Sequence, residues 1–416
     1  MASDLKKFVN PKFLRTVPLA LLRELFARQP EGLRGFDLAV FDRPAAEARD
    51  TLAALFAGPE DAMPQGVVAD PHRIAELGTE QGMNQIQARA EARGLRIDPL
   101  LDADGRPIPL DPKQFAILAF LQQPTVFDAV SDMMAREARS SLAEYVGEDE
   151  GVAPDLTDET RRAFEEAAQA MFERDHRGAY CRIGWYDDGP LHILVVTHGA
   201  PVSVVPVIDG GQERVISYRS VDQAVLSYHP GTGRLGVAGV VKARRAELAE
   251  MFAAHLLDRP GFFAGEDCQD LYSLEAVERA GIHFEVNHAH DPGIRRVEIV
   301  EVQLDRLGAA ERDGEPPPVE ACFVIRCFRG NALARVAEFS GERPAFAPGR
   351  YRLGHMTLRV HFDTGGRRAA KVTVKVKPPS HAIFKRHRFE DRVMELLRRN
   401  GFCRVRQPAA LPAAAE

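Results

Sequence analysis

Residues 356–362, MTLRVHF, and residues 371–377, KVTVKVK, alternate apolar and polar side chains on either side of the turn residues 363–366, DTGG. Successive side chains of a β-strand point to opposite faces, so this period of two predicts a β-hairpin with one apolar, buried face. The opposite face gathers the basic side chains Arg359, His361, Lys371, Lys375 and Lys377.

Like charges on neighbouring strands repel one another, which is unfavourable unless an anion compensates them. The pattern therefore indicates that an anion lies beside this face. A helix is predicted to follow, with Ser380 as its N-cap and Gly401 just beyond its end. It adds the basic residues Lys385, Arg386, Arg388 and Arg392. A basic ribbon beside a basic helix suits contacts to the phosphates of nucleic acid. A solubilising or protein-docking surface is the alternative.

The charge of the chain is unevenly distributed. Residues 1–175 contain 20 Lys and Arg against 31 Asp and Glu, and residues 176–318 contain 14 against 21. Residues 319–406 contain 20 against 7, although the whole chain has a net charge of −6. An acidic body with a basic C-terminal part indicates contact with a polyanion or with an acidic partner. The alternative is a basic domain that its own acidic neighbour neutralises.

The pattern of apolar residues predicts the α+β class, with a helical N-terminal domain followed by antiparallel-leaning mixed α/β domains. The helical domain covers residues 1–175 and contains an acidic linker near 144–160. An α+β domain follows at 176–307. Residues 308–318 are an interdomain linker or a long hairpin loop. The basic hairpin and helix form a module at 319–406, and 407–416 are a disordered tail.

Local signals mark several of the predicted elements. Asp111-Pro112 has the form of an N-cap followed by a first-turn proline, which marks the start of a helix. Pro124 is expected to end or kink that same helix. Thr157 is expected to begin another helix. Beyond Ala179 the strand pattern dominates, and it includes a predicted strand from Ile282 to Val286.

A second group of residues has the chemistry of a metal site. His283, His288, His290 and Asp291 lie within nine positions. His288 and His290 lie two positions apart, so an extended segment would direct both imidazoles to one side, and the turn after Asp291 would bring a carboxylate near. Histidines that hydrogen-bond to the backbone of a turn are the alternative.

Other signals exclude several classes of protein. The sequence contains no phosphate-binding loop, nucleophile elbow or kinase signature, so we lean towards a protein that is not an enzyme and expect no cofactor apart from the metal considered above. The five scattered cysteines and the short apolar runs predict a cytoplasmic protein without disulfides and without a membrane partner. Abundant alanine and arginine with scarce lysine indicate a bacterial source.

These observations lead to three hypotheses about function. The first is a non-enzymatic bacterial protein that binds nucleic acid, DNA or RNA, through its basic module, while the helical domain binds a protein partner. The second is a protein-docking subunit of a multiprotein complex that does not contact nucleic acid. The third is a metal-dependent hydrolase that uses His283, His288, His290 and Asp291.

Overall fold

The computed structural model describes residues 15–28, 37–57, 73–102, 104–138, 142–209, 211–309, 317–328, 330–336, 338, 346, 350–363, 369–385 and 389–404. Contacts between residues divide the chain into two compact units, Met1–Met134 and Ala135–Glu416. The fold is α+β, as predicted: the first unit is helical, and the described strands of the second unit form antiparallel sheets. Within these ranges, no helix is both long enough and apolar enough to cross a membrane.

The first unit packs its helices around one apolar core. Helix α1 comprises Leu19–Ala27, α2 Ala45–Ala57, α3 Glu80–Ala92 and α4 Pro112–Gln122, and α5, Pro124–Ala138, begins in this unit and ends in the second. A 3-10 turn at Leu38–Asp42 precedes α2. The core consists of apolar side chains that these helices turn inward, among them Leu21, Leu22, Phe26, Ile117 and Phe127.

Helix α4 begins with the N-cap that the sequence predicts. The Asp111 carboxylate accepts hydrogen bonds from the backbone N–H groups of Lys113 and Gln114, each 2.9 Å long. The Gln114 side chain accepts one in return from the Asp111 N–H at 3.2 Å, which completes a capping box. Pro112 occupies the first helical position, where its missing N–H is not needed. Helix α4 ends at Gln122 and α5 begins at Pro124, as that proline predicts.

The second unit begins with a five-stranded antiparallel sheet. Its strands are β1 Ala143–Val146, β2 Cys181–Asp188, β3 Leu191–Gly199, β6 Val221–His229 and β7 Arg234–Ala238, in the spatial order β1-β7-β6-β3-β2. Helices α6, Asp158–Arg174, and α7, Lys242–Leu256, supply the apolar side chains that pack against it. Thr157 caps α6, as predicted, by accepting a hydrogen bond from the Thr160 N–H at 3.4 Å.

Strands β4, Ser203–Asp209, and β5, Gln212–Tyr218, form a two-stranded ribbon of their own. Several of its apolar side chains are exposed, including those of Val204, Ile208 and Val215.

A second five-stranded antiparallel sheet carries the predicted basic hairpin. Its strands are β8 Ile294–Leu307, β9 Val319–Arg326, β10 Tyr351–Phe362, β11 Ala370–Lys377 and β12 His381–Ile383, in the order β12-β11-β10-β8-β9. The short helix α8, Glu275–Ala280, and the C-terminal helix α9, Glu390–Arg399, contribute to its core. Gly401 follows α9 with a φ of 72°, a left-handed conformation that suits glycine beyond a helix end, as predicted.

The structure corrects three local predictions. The helix does not begin at Ser380, because residues 381–383 pair with β11 as strand β12 and α9 begins at Glu390. Residues 282–286 do not form a strand: a 3-10 turn covers Gly281–His283, and no strand follows until Ile294. The predicted acidic linker at 144–160 begins inside strand β1, where Glu144 is buried and accepts a hydrogen bond from the Tyr272 hydroxyl at 2.5 Å.

The segment 308–318 joins two strands of one sheet. Strands β8 and β9 are paired antiparallel up to Leu307 and Val319, and the Gly308 N–H donates to the Pro318 carbonyl at 2.8 Å. Its ends therefore form a hairpin connection, the second of the two interpretations offered above, and strand β8 shares a sheet with the basic hairpin. The boundaries near residues 175 and 406 remain predictions, and the tail at 407–416 lies outside the described residues.

We predict that Asp111→Ala destabilises the helical unit by about 1 kcal/mol, because the first turn of α4 loses its side-chain acceptor. Thermal unfolding of the full chain, followed by circular dichroism, measures the effect. Asp104→Ala is the control, since Asp104 is exposed and caps no helix. Equal unfolding curves for the two variants would show that the capping box does not stabilise the fold.

Candidate nucleic-acid interface

The paired strands β10 and β11 place the predicted basic residues on one side of the second sheet. Met356, Leu358 and Val360 lie in the core with their partners on β11. The alternate positions are paired as Thr357 with Lys375, Arg359 with Thr373 and His361 with Lys371. We call this side the basic face, which comprises Arg326, Arg359, Lys371, Lys375, Lys377 and Lys385, the last just after β12.

Strand β8 brings carboxylates onto the basic face. Glu298 pairs in register with Arg359, and Glu301 pairs with Thr357. The Glu298 carboxylate accepts a hydrogen bond from the His361 Nε2 at 2.8 Å and lies 3.8 Å from the Arg359 guanidinium. His361 is buried. Part of the anionic compensation that the hairpin requires therefore comes from the chain itself.

Glu301 is the buried centre of a polar network. The residue is only 7% exposed, and its carboxylate accepts a hydrogen bond from the Arg326 Nε at 2.7 Å. The His355 Nε2 lies 2.9 Å from the same carboxylate, and the Lys375 Nζ lies 3.5 Å from it. Burial alone would raise the pKa of Glu301, but Arg326, His355 and Lys375 together lower it to about 2. Glu301 is thus anionic at neutral pH.

A groove of about 490 Å³ opens on the basic face. Among the described residues that line it, four are cationic and one is anionic: Arg326, Arg359, Lys375 and Lys385 against Glu301. Thr357 and Thr373 add hydroxyl groups, and Val300, Ile383 and Phe328 add apolar surface. The lining therefore suits a ligand that carries both negative charge and an apolar part.

Three lysines of the basic face are exposed. These are Lys371, Lys377 and Lys385. Within the part of the chain that the structure describes, no carboxylate lies within 4.0 Å of any of these ammonium groups, whereas Lys375 and Arg359 each have one. These three side chains are accessible to an external anion.

The predicted basic helix contributes fewer cationic side chains to the basic face than the hairpin does. Arg392 is engaged in a bidentate ion pair with Asp291, in which both nitrogen–oxygen distances are 2.7 Å. Its guanidinium also lies over the Phe362 ring, 4.7 Å from the ring centre. We leave Arg392 out of the basic face because it lies on α9, whose apolar side chains pack in the core on the other side of the sheet. Arg386 and Arg388 lie outside the described residues.

Two of the four residues of the predicted metal site, Asp291 and His283, have positions that do not point to a metal ion. Asp291 accepts the two hydrogen bonds from Arg392, which lower the pKa of its carboxyl group. His283 is exposed at the end of the 3-10 turn. Across the described ranges, no group of three or more His, Cys, Asp or Glu side chains is arranged to hold a metal ion. The metal site stays a prediction without geometric support.

Sequence reasoning did not identify Glu301, Arg326 or Phe328 as members of the site. Residues 308–318 are predicted to be an interdomain linker or a long hairpin loop, and the linker interpretation separates β8 from the basic hairpin. The continuous strand pattern on both sides of that segment was the signal that could have joined them.

Comparison with known proteins does not assign a function to this site. No protein-family model matches the chain, and no curated protein is significantly similar to it. The chemistry of the basic face is therefore the basis for a functional proposal.

We predict that the stability of the protein falls as the pH falls from about 4.5 to about 2, in part because of Glu301. Its pKa is lowered on folding, so its contribution is present above the unfolded value and is lost as the carboxylate takes up a proton. The shift corresponds to about 3 kcal/mol. Chemical unfolding at several pH values should therefore give a shallower acid dependence for Glu301→Gln.

The matched control for this measurement is Glu166→Gln. Glu166 is an exposed residue of α6, so removing its charge should leave the acid dependence of stability close to that of the parent. An acid dependence that is the same in Glu301→Gln and in the parent would contradict the assigned role of the network.

Proposed function

We propose that this protein binds the phosphate backbone of nucleic acid through its basic face, as a non-enzymatic protein of the bacterial cytoplasm. The observation that carries the proposal is the lining of the groove, where four cationic side chains surround one buried carboxylate. The three exposed lysines of the basic face, Lys371, Lys377 and Lys385, have no carboxylate within 4.0 Å among the described residues.

The residue types on the basic face match those that contact phosphates. Arginine and lysine donate charge-assisted hydrogen bonds to phosphate oxygens, and threonine hydroxyls add neutral ones. Strands β9, β10 and β11 of one sheet offer this combination through Arg326, Arg359, Lys375, Thr357 and Thr373. Contacts of this kind carry no sequence information, so we propose binding that is largely independent of base sequence.

The charge distribution along the chain supports the same proposal. The excess of basic residues is confined to 319–406, whereas the preceding parts of the chain are acidic. A local excess of positive charge in a protein of negative net charge attracts a polyanion to one surface. The cytoplasmic location is supported by the five cysteines, none of which is joined by a disulfide.

A protein-docking subunit is the second candidate function. The observation that favours it is the ribbon of β4 and β5, on which Val204, Ile208 and Val215 are exposed. Exposed apolar side chains that are grouped together are typical of surfaces that contact another protein. The two candidates differ in one direct measurement, which is whether the protein binds nucleic acid at low salt.

We predict that replacing Lys371, Lys377 and Lys385 together with Gln weakens binding to nucleic acid and reduces its dependence on salt. Each phosphate contact releases condensed counterions, so the slope of log K against log salt should become less steep by about 2 to 3. The fold should survive because the apolar partners Val372, Val374 and Val376 are unchanged. Fluorescence anisotropy with a labelled oligonucleotide at several salt concentrations measures both quantities.

The matched control removes three positive charges elsewhere on the surface, through the combined substitutions Arg93→Gln, Arg162→Gln and Arg279→Gln. All three arginines are exposed. The control variant should show the same slope of log K against log salt as the parent protein. A parent protein that binds neither DNA nor RNA at low salt would refute the proposed function, and equal slopes for both triple variants would refute the assignment to the basic face.

A further inference from the structure

Phe328 is the most exposed aromatic side chain beside the groove. It is 82% exposed and lines the groove together with the cationic residues. Phe328 lies two residues beyond the end of β9. Cys327, the residue between them, donates its backbone N–H to the carbonyl of Val300 at 2.9 Å, and this bond holds the backbone next to Phe328. Single exposed apolar side chains are common on protein surfaces, so the informative observation is that this ring lies in the lining of a cationic groove.

The groove combines apolar and cationic surface within one small space. Val300 and Ile383 lie in its lining with Phe328, while Arg326 and Lys385 supply positive charge. A nucleotide has the same two parts, a planar base and an anionic phosphate. A volume of about 490 Å³ is in the range of sites that hold small molecules, and it is too small to admit a double helix.

The faces of paired bases are covered by their neighbours in a duplex, whereas an unpaired base can stack on an aromatic ring. Stacking of this kind tolerates any base, because every base has a π-face. An aromatic platform beside cations that track the backbone is the arrangement by which proteins bind single strands without sequence preference. The lining of the groove has both components.

We propose that the groove binds unpaired nucleotides of a single strand, with a base stacked on Phe328 and phosphates held by Arg326, Arg359, Lys375 and Lys385. This inference rests on the proposed function and narrows it, because it names the single strand, and not the duplex, as the ligand. The experiment is a set of anisotropy titrations of the full chain at low salt. The probes are a labelled oligothymidylate, a duplex of the same length and free thymidine monophosphate as a competitor.

The expected result is tighter binding of the single strand than of the duplex. Phe328→Ala should weaken binding of the single strand about 10-fold through loss of stacking and should leave duplex binding unchanged. Phe328→Trp should retain it, since a larger ring also stacks. Phe323→Ala is the matched control: Phe323 is 49% exposed on β9, but its register partner Leu304 places it on the opposite face of the sheet.

Three outcomes would overturn the inference. If the duplex binds as tightly as the single strand, and Phe328→Ala changes neither affinity, the groove does not select unpaired bases, although the proposed function stands. If free thymidine monophosphate competes at the concentration at which the oligothymidylate binds, the ligand is a nucleotide and not a strand. If the parent binds no probe at all, the proposed function fails together with the inference.

Discussion

The polar side of the second sheet depends on the ion pairs of one buried carboxylate. Glu301 on β8 contacts Arg326 on β9, His355 on β10 and Lys375 on β11, so a single side chain links three other strands. A buried charge that lacks partners destabilises a fold by several kcal/mol, and here each partner is itself cationic or polar. The cations can therefore lie close together on one face, and the face can remain part of a stable sheet.

This arrangement also prepares the face for an external anion. Arg326 and Lys375 are held by Glu301 before any ligand arrives, so less side-chain freedom is lost when a phosphate binds. Glu301 and Glu298 do not neutralise the face fully, because Lys371, Lys377 and Lys385 have no described carboxylate within 4.0 Å. The internal carboxylates thus position the cations, and the exposed lysines leave a positive field in solvent.

Some of these features could be predicted from the sequence, and others depend on contacts between distant segments. The alternation in 356–362 and 371–377 predicts the hairpin and its two faces, because period two is a local property of a strand. The caps at Asp111, Thr157 and Gly401 are local in the same sense. The strand at 381–383 was missed, since its conformation is fixed by pairing with β11, and the contribution of Glu301 was missed, since its partners lie on other strands.

The position of Glu301 shows why period two alone could not find the network. Glu298 and Glu301 lie three residues apart, so in a regular strand they would point to opposite faces. The register shifts at Val300, since Thr357 pairs with Glu301 and Leu358 with Ile299. This bulge adds one residue to β8, which returns Glu301 to the same face as Glu298. The carbonyl of the bulged Val300 also binds the Cys327 N–H, next to Phe328. One extra residue in a strand therefore places both the carboxylate that organises the cations and the backbone that carries the exposed aromatic ring.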